Sequence, residues 1–139
     1  MNQAVTFLTG HDRTGLAPSA IKWEGIAKGS QVIVMYMAIK HLPEICENLM
    51  AAGRKPDEPV AVVSNATWDK MDVLETTLAH APQDVAEKGF EPPAIICVGH
   101  VVKMRQCLDW IGQMKGIAPR NLDPLNVGPD ASSPKKDIA

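Results

Sequence analysis

The chain has 139 residues, with 14 Lys+Arg against 16 Asp+Glu, a formal charge of −2, and a composition of 45% hydrophobic and 22% charged residues. That length and balance fit a folded chain with one core and exclude a disordered polymer. The longest basic run is Lys135-Lys136, too short to follow a phosphate backbone, so nucleic acid is not an expected partner.

In chain order, Met1-Asn2-Gln3 shows no basic segment leading into an apolar one, so no secretory signal is read there. Residues 4–8 carry the β-branched and aromatic content of a strand that ends at Thr9-Gly10. Residues 10–20 read as a loop, and Ile21, Trp23 and Ile26 can share one side of a short helix over 21–27. Residues 31–37, apolar without a break from Val32, predict a strand covered on both faces. The longest unbroken apolar stretch, Val32 to Ile39, falls far short of the roughly 18 residues that span a bilayer, so no membrane is expected as a partner.

The clearest helix follows. Leu42, Ile45, Cys46, Leu49 and Met50 form one apolar stripe, with Pro43 at its start and Gly53 as its stop. Pro59 introduces a strand over 60–63 and then the loop Ser64-Asn-Ala-Thr67. Residues 68–77 are ambiguous, with 72–77 either a strand or an extended connection. A helix is predicted over 78–88, Pro82 either kinking it or marking its first turn, and Gly89 ending it. Pro92-Pro93 leads into a strand over 94–98, and a last helix is expected over 102–111.

Apolar strands separated by helices predict parallel pairing through crossovers. The expected fold is therefore α/β: a mixed, mostly parallel sheet of four to five strands flanked by helices, with the first strand a candidate for an antiparallel edge. Residues 1–114 are expected to form the domain. Residues 115–139, rich in Pro, Gly, Asp and Ser, read as a disordered tail or linker. Cys46, Cys97 and Cys107 are odd in number with no CxxC pair, and the four histidines lack metal-ligand spacing. Reduced thiols, no metal and a cytoplasmic location are the expectations.

In an open α/β sheet, ligands bind off the carboxyl ends of parallel strands. Those ends are Tyr36-Met-Ala38, Ser64-Asn-Ala-Thr67 and Gly99-His100, expected to gather on a single rim. Met37 is apolar and flexible enough to lie against a planar heterocycle. Asn65 and Thr67 can hydrogen-bond a ligand or cap the turn, while Ala66 and Gly99 are small enough for close backbone approach. Among the histidines, His11 and His100 follow strand ends, and His41 and His80 fall on helix surfaces or ends.

An ordered set of segments resembles a known family. Val5-Thr-Phe-Leu-Thr-Gly-His11, Ile21-Lys-Trp-Glu24, Val34-Met-Tyr-Met37, Leu42-Pro-Glu-Ile45, Pro59-Val-Ala-Val-Val63, Asn65-Ala-Thr67 and Pro92-Pro-Ala-Ile-Ile96 resemble the second half of uroporphyrinogen-III C-methyltransferases, in the tetrapyrrole methylase family. The resemblance runs from residue 4 to about 111, ending with Met104-Arg105 and Leu108-Asp-Trp110. It implies two α/β domains with S-adenosylmethionine between them, usually in a homodimer, methylating uroporphyrinogen III to precorrin-2 for sirohaem and cobalamin. By motif match Met37 and Ala66, with Asn65 and more loosely Gly99, would meet the adenosyl end of the cofactor. No protein nucleophile is implied. A polyanionic tetrapyrrole calls for cations at the cleft, for which Arg105, Lys103 and Arg13 are the candidates.

Three departures bear on function. The family's first half, with its Gly-Pro-Gly-Asp loop, has no counterpart in these residues, so the partner expected is the missing N-terminal half. Ala38 stands where the family has Gly, and Met71-Asp72 where it often has Gln-Arg. The last change favours an alternative, a non-catalytic binding or dimerisation module. A methylase of a later corrinoid is argued against by Thr9-Gly-His11 and Asn65-Ala-Thr67.

Overall fold

The computed structural model describes residues 3–11, 13–16 and 18–126, and the chain divides into two compact units, Met1–Val102 and Lys103–Ala139. The first unit holds a five-stranded sheet in the order β1-β2-β5-β3-β4, built from β1 (Val5–Thr9), β2 (Val32–Tyr36), β3 (Pro59–Ser64), β4 (Asp72–Thr77) and β5 (Ala94–Val98). Its helices are α1 (Trp23–Gly29), α2 (Leu42–Ala51) and α3 (Ala81–Lys88). Pro82 lies in the first turn of α3, where its missing N–H costs nothing, rather than at a kink.

The sheet is mixed, as expected, but it is not mostly parallel. Only β1 and β2 pair in parallel; β2–β5, β3–β5 and β3–β4 are antiparallel. The cause lies in residues 72–77, which form the complete strand β4 and turn the chain around before α3. The crossover through α3 then preserves the direction of β4, not of β3. Strands β1, β2 and β3 therefore point one way and β4 and β5 the other. The first strand is an edge strand, but a parallel one.

Alternation along the strands decides which face is covered. Ile33, Met35, Val60, Val62, Ile96 and Val98 are all nearly or fully buried and pack in one core with Leu42, Ile45, Cys46 and Leu49 of α2 and Ala81 and Val85 of α3. Burial pushes the Cys46 thiol up to about 12, which leaves it without thiolate character at neutral pH. The opposite face carries Val34, Tyr36, Val63, Ile95 and Cys97, none of them fully buried. At its edge Phe7 stacks on Tyr36 with ring centroids 6.3 Å apart, and the two side chains are 64% and 44% exposed.

Away from the carboxyl ends of β1 to β3, one side chain ties three segments together. Arg54 donates through Nη1 to the carbonyls of Ser30 (2.6 Å) and Ala27 (3.3 Å), and its Nε lies 2.9 Å from Glu58 Oε2. Both side chains are almost completely enclosed. Burial raises the Glu58 carboxyl above its ordinary value, against the opposing pull of Arg54 and His100.

In the second unit, the helix expected over 102–111 is broken. A 3-10 turn over His100–Met104 leads into α4 (Arg105–Leu108), and α5 (Trp110–Met114) starts afresh after Asp109. The Asp109 carboxylate accepts from Gly112 N at 3.2 Å, so this residue serves as an N-cap instead of continuing the helix. The expected tail begins inside this unit: the backbone N–H groups of Arg120 and Asn121 donate to the Gln106 carbonyl at 2.9 and 3.2 Å. Its last part, residues 127–139, lies outside the described residues.

Replacing Arg54 by Met strands a buried carboxylate and two carbonyls, and should cost on the order of 3 kcal/mol in urea unfolding. Glu58→Gln keeps the shape without the charge and should stay within about 1 kcal/mol of the parent. A carboxyl raised in the folded state binds its proton more tightly there than in the unfolded chain. Its contribution is complete below the unfolded value and is lost as pH rises through the folded value. The stability of the parent relative to Glu58→Gln should therefore fall as pH rises from the carboxylate range toward neutrality. A difference that grows with pH would contradict this.

Candidate functional site

Strand direction determines which loops meet. The carboxyl ends of β1, β2 and β3 share one rim with the amino ends of β4 and β5, because Tyr36 pairs with Ile95, Val63 with Ile95 and Ser64 with both Ala94 and Asp72. An apolar cavity of about 690 Å³ opens there, lined by Tyr36, Met37, Ile39, Val63, Asn65, Ala66, Trp68 and the run Pro92 to Ile95. Tyr36, Ile95 and Val63 form one cross-strand row on the face opposite α1 to α3.

The two turns flanking the cavity adopt unusual backbone. Met37 (φ 54), Asn65 (φ 48) and Thr67 (φ 70) all lie in the left-handed region that L side chains rarely occupy. Such conformations persist only where surrounding contacts hold them, and they concentrate at functional positions. The contacts are visible. Gly10 N donates to the Tyr36 carbonyl at 2.7 Å, and a Cβ on Gly10 would sit 2.6 Å from the Ala38 Cβ and 2.5 Å from the Met37 carbonyl oxygen. Gly10 is therefore required for the β1 turn to close against the Met37 turn. On the other side Asn65 N donates to the Pro93 carbonyl at 3.0 Å and Asn65 Nδ2 to Ser64 Oγ at 3.1 Å.

Of the four residues expected to meet a cofactor, Met37, Asn65 and Ala66 line this one cavity. Gly99 does not belong with them. Val98 pairs with Ile33 and Val60 near the starts of β2 and β3, so Gly99 and His100 emerge at the opposite edge of the sheet. The small size of Gly99 has a packing cause there: at φ 138, a Cβ would lie 2.7 Å from the Gln31 carbonyl oxygen. The single rim expected for the turns after Met37, Asn65 and Val98 is thus corrected. The amino end of β5, Pro92-Pro93, takes the third place.

None of the expected substrate cations lines either hollow of the rim. Arg13 is exposed in the loop after β1 and lines neither hollow of the rim. Lys103 opens the second unit, and Arg105 in α4 lies 3.4 Å from Asp109. His11 is half-buried after β1, whereas His41 Nε2 lies 3.0 Å from the Gly15 carbonyl and His80 Nδ1 2.9 Å from Thr77 Oγ1.

Sequence reasoning missed Trp68 and the Pro92-Pro93 floor as lining residues. Trp68 had a signal, an aromatic immediately after Asn65-Ala-Thr67. The floor followed only from knowing that β5 runs backwards. A second, polar hollow of about 900 Å³ adjoins the cavity and shares Asn65, Trp68 and Pro92 with it. Its charged lining is Lys70, Lys88, Asp69, Asp72 and Glu91, with Lys88 paired to Asp72 at 2.9 Å. That balance of charge does not favour a polyanion.

A mixed α/β unit with an apolar cavity at one rim of its sheet defines the class, and comparison with known proteins places it. The family of tetrapyrrole (corrin/porphyrin) methylases matches residues 1–82, and the chain belongs to that family. It is 62% identical over 116 residues to a uroporphyrinogen-III C-methyltransferase of a Sinorhizobium species, covering 84% of this chain and 41% of that protein. It is 42% identical over 108 residues to a sirohaem synthase of Thiobacillus denitrificans, covering 78% of this chain and 22% of that one. The chain thus spans less than half the length of these relatives. Among solved structures, uroporphyrin-III C-methyltransferase of Thermus thermophilus complexed with S-adenyl homocysteine matches with a TM-score of 0.61 and 26% identity, covering 74% of this chain and 44% of that one. A cobalt precorrin-4 methyltransferase matches with a TM-score of 0.65 and 25% identity, covering 73% and 42%.

Gly10→Ala should disrupt the Met37 turn at a cost on the order of 3 kcal/mol, since neither backbone can retreat without breaking the Gly10–Tyr36 hydrogen bond. Thermal unfolding checks it; a variant that melts with the parent would show that the turns are not mutually fixed.

Proposed function

We propose that this chain is the C-terminal half of an S-adenosylmethionine-dependent uroporphyrinogen-III C-methyltransferase, providing one wall of the cofactor cleft and incomplete without an N-terminal half. The observation that carries the reading is the convergence of Met37, Asn65 and Ala66 on one apolar cavity beneath turns held in left-handed conformations. Kinship with a uroporphyrinogen-III C-methyltransferase and a sirohaem synthase supports the reaction. The Thermus enzyme, complexed with S-adenyl homocysteine, the demethylated form of the methyl donor, supports the cofactor.

The residues present fit an adenosyl group. Met37, Tyr36 and Ile95 offer apolar surface from which a heterocycle displaces water. Ala66 has no side chain long enough to keep a ligand from its backbone N–H and C=O. When bound, S-adenosylmethionine supplies an electrophilic sulfonium methyl. The contribution of this chain is orientation: methyl transfer from a sulfonium to an electron-rich carbon is accelerated chiefly by in-line placement, and no nucleophile is required of the protein.

The substrate is proposed to be uroporphyrinogen III or a related tetrapyrrole. Arg13, Lys103 and Arg105 are the proposed partners of its carboxylates. The assembly is proposed as a homodimer, in keeping with the exposed Phe7–Tyr36 stack on the face opposite α1 to α3. A cytoplasmic location is likewise proposed; no helix among the described residues is long and apolar enough to cross a membrane. The second reading, a non-catalytic module of the same fold, rests on Met71. Its sulfur accepts from Thr67 N at 3.4 Å, so it serves the local turn.

Calorimetric titration of the chain alone with S-adenosylhomocysteine should show weak binding, because half of the cleft is missing; tight binding would contradict a shared site. Supplying the N-terminal half in trans should restore methylation of uroporphyrinogen III. A complex that forms but leaves the substrate unmethylated would favour the non-catalytic reading.

A further inference from the structure

Trp68 is the largest exposed side chain at the rim, with 66% of its surface accessible, and it borders both the apolar cavity and the polar hollow beside it. Nothing about its place is loose. The segment carrying it is fixed by successive turns: Trp68 N donates to the Asn65 carbonyl at 3.0 Å, Met71 N to the Trp68 carbonyl at 2.9 Å, and Asn65 N to the Pro93 carbonyl at 3.0 Å. Asn65 and Thr67, both left-handed, precede it. The chain thus holds a strained turn whose outcome is an indole presented to water, an unfavourable position for so much apolar surface unless something covers it.

Strand order supplies the geometry. β5 lies between β2 and β3, so the Met37 and Trp68 turns are two strand spacings apart, about 10 Å, with Pro92-Pro93 between them. Met37, itself 55% exposed, lines the same cavity from the other flank. Met37 and Trp68 thus border one cavity from its two flanks.

We propose that Trp68 is a positioning residue for the cofactor, its indole stacking on the adenine ring opposite Met37 and separating the adenosyl cavity from the polar hollow. The proposal rests on the adenosyl reading of the cavity and adds to it a residue that acts through its aromatic face. Stacking of a base on an aromatic side chain is sequence-tolerant but needs a π surface, so Phe should replace Trp and Ala should not.

The test uses the full chain, titrated with S-adenosylhomocysteine and, separately, with adenosine and homocysteine, while the indole N–H resonances are followed by NMR. The Trp68 signal is assigned by its loss in Trp68→Phe. It should shift with S-adenosylhomocysteine and adenosine and stay fixed with homocysteine. Trp68→Ala should weaken binding of both nucleoside ligands by roughly tenfold, and Trp68→Phe should restore most of it. Both variants should melt with the parent, since the side chain is exposed. If the parent binds and Trp68→Ala binds equally well, or if Phe fails as completely as Ala, stacking by Trp68 is overturned and the adenosyl cavity stands. If no resonance of the parent shifts at millimolar S-adenosylhomocysteine, the adenosyl reading fails and this proposal with it.

Discussion

The sheet is held together by a strand that runs against both of its neighbours. β5 pairs antiparallel with β2 on one side and β3 on the other, so every contact between the two halves of the sheet passes through Ala94 to Val98. Ile96 and Val98 are buried between the strand rows and α2 and α3, which makes the register costly to shift: a slip by one residue would turn them to the opposite face and bring Ile95 and Cys97 inward. Register and direction together bring Pro92-Pro93, not Gly99, to the rim between Met37 and Asn65.

The candidate site follows from that arrangement. Two turns with left-handed residues flank the amino end of β5. They are held from outside, by the Gly10 turn against Ala38 and by the Asn65–Pro93 hydrogen bond. The cavity between them is apolar because Tyr36, Ile95 and Val63, the cross-strand row beside the Pro92-Pro93 floor, lie on the face opposite α1 to α3. The covered face provides the core and the opposite face provides the pocket. The Arg54–Glu58 pair contributes to the scaffold and lines neither hollow of the rim.

Much of this was legible in the sequence because hydrophobic period and punctuation report local structure directly. The stripe from Leu42 to Met50, the apolar runs of β2, β3 and β5, and the stops at Gly53 and Gly89 all became elements near the expected bounds. Strand direction was not legible. It depended on whether 72–77 was a strand, and that segment, with Asp72 and Glu75 among its residues, lacks the apolar run that marks its neighbours. One strand left open in the sequence reversed β5 and moved Gly99 to the far end of the sheet. The break at Asp109 was hidden for a related reason: periodicity continues through a capping residue, and only the side-chain bond to Gly112 shows that a new helix begins. Met37, Asn65 and Ala66, singled out by type and motif, line the cavity; Trp68 lies just beyond the Asn65-Ala-Thr67 motif and lines it too.

The central claim is that the adenosyl group lies at the rim where the carboxyl ends of β2 and β3 meet the amino end of β5. A crystal structure of this chain joined by its N-terminal half, with S-adenosylhomocysteine bound, tests it most directly. The account predicts the adenine ring between Met37 and Ala66, over Pro92-Pro93. Adenine found against Gly99 and His100, at the other edge of the sheet, would contradict it.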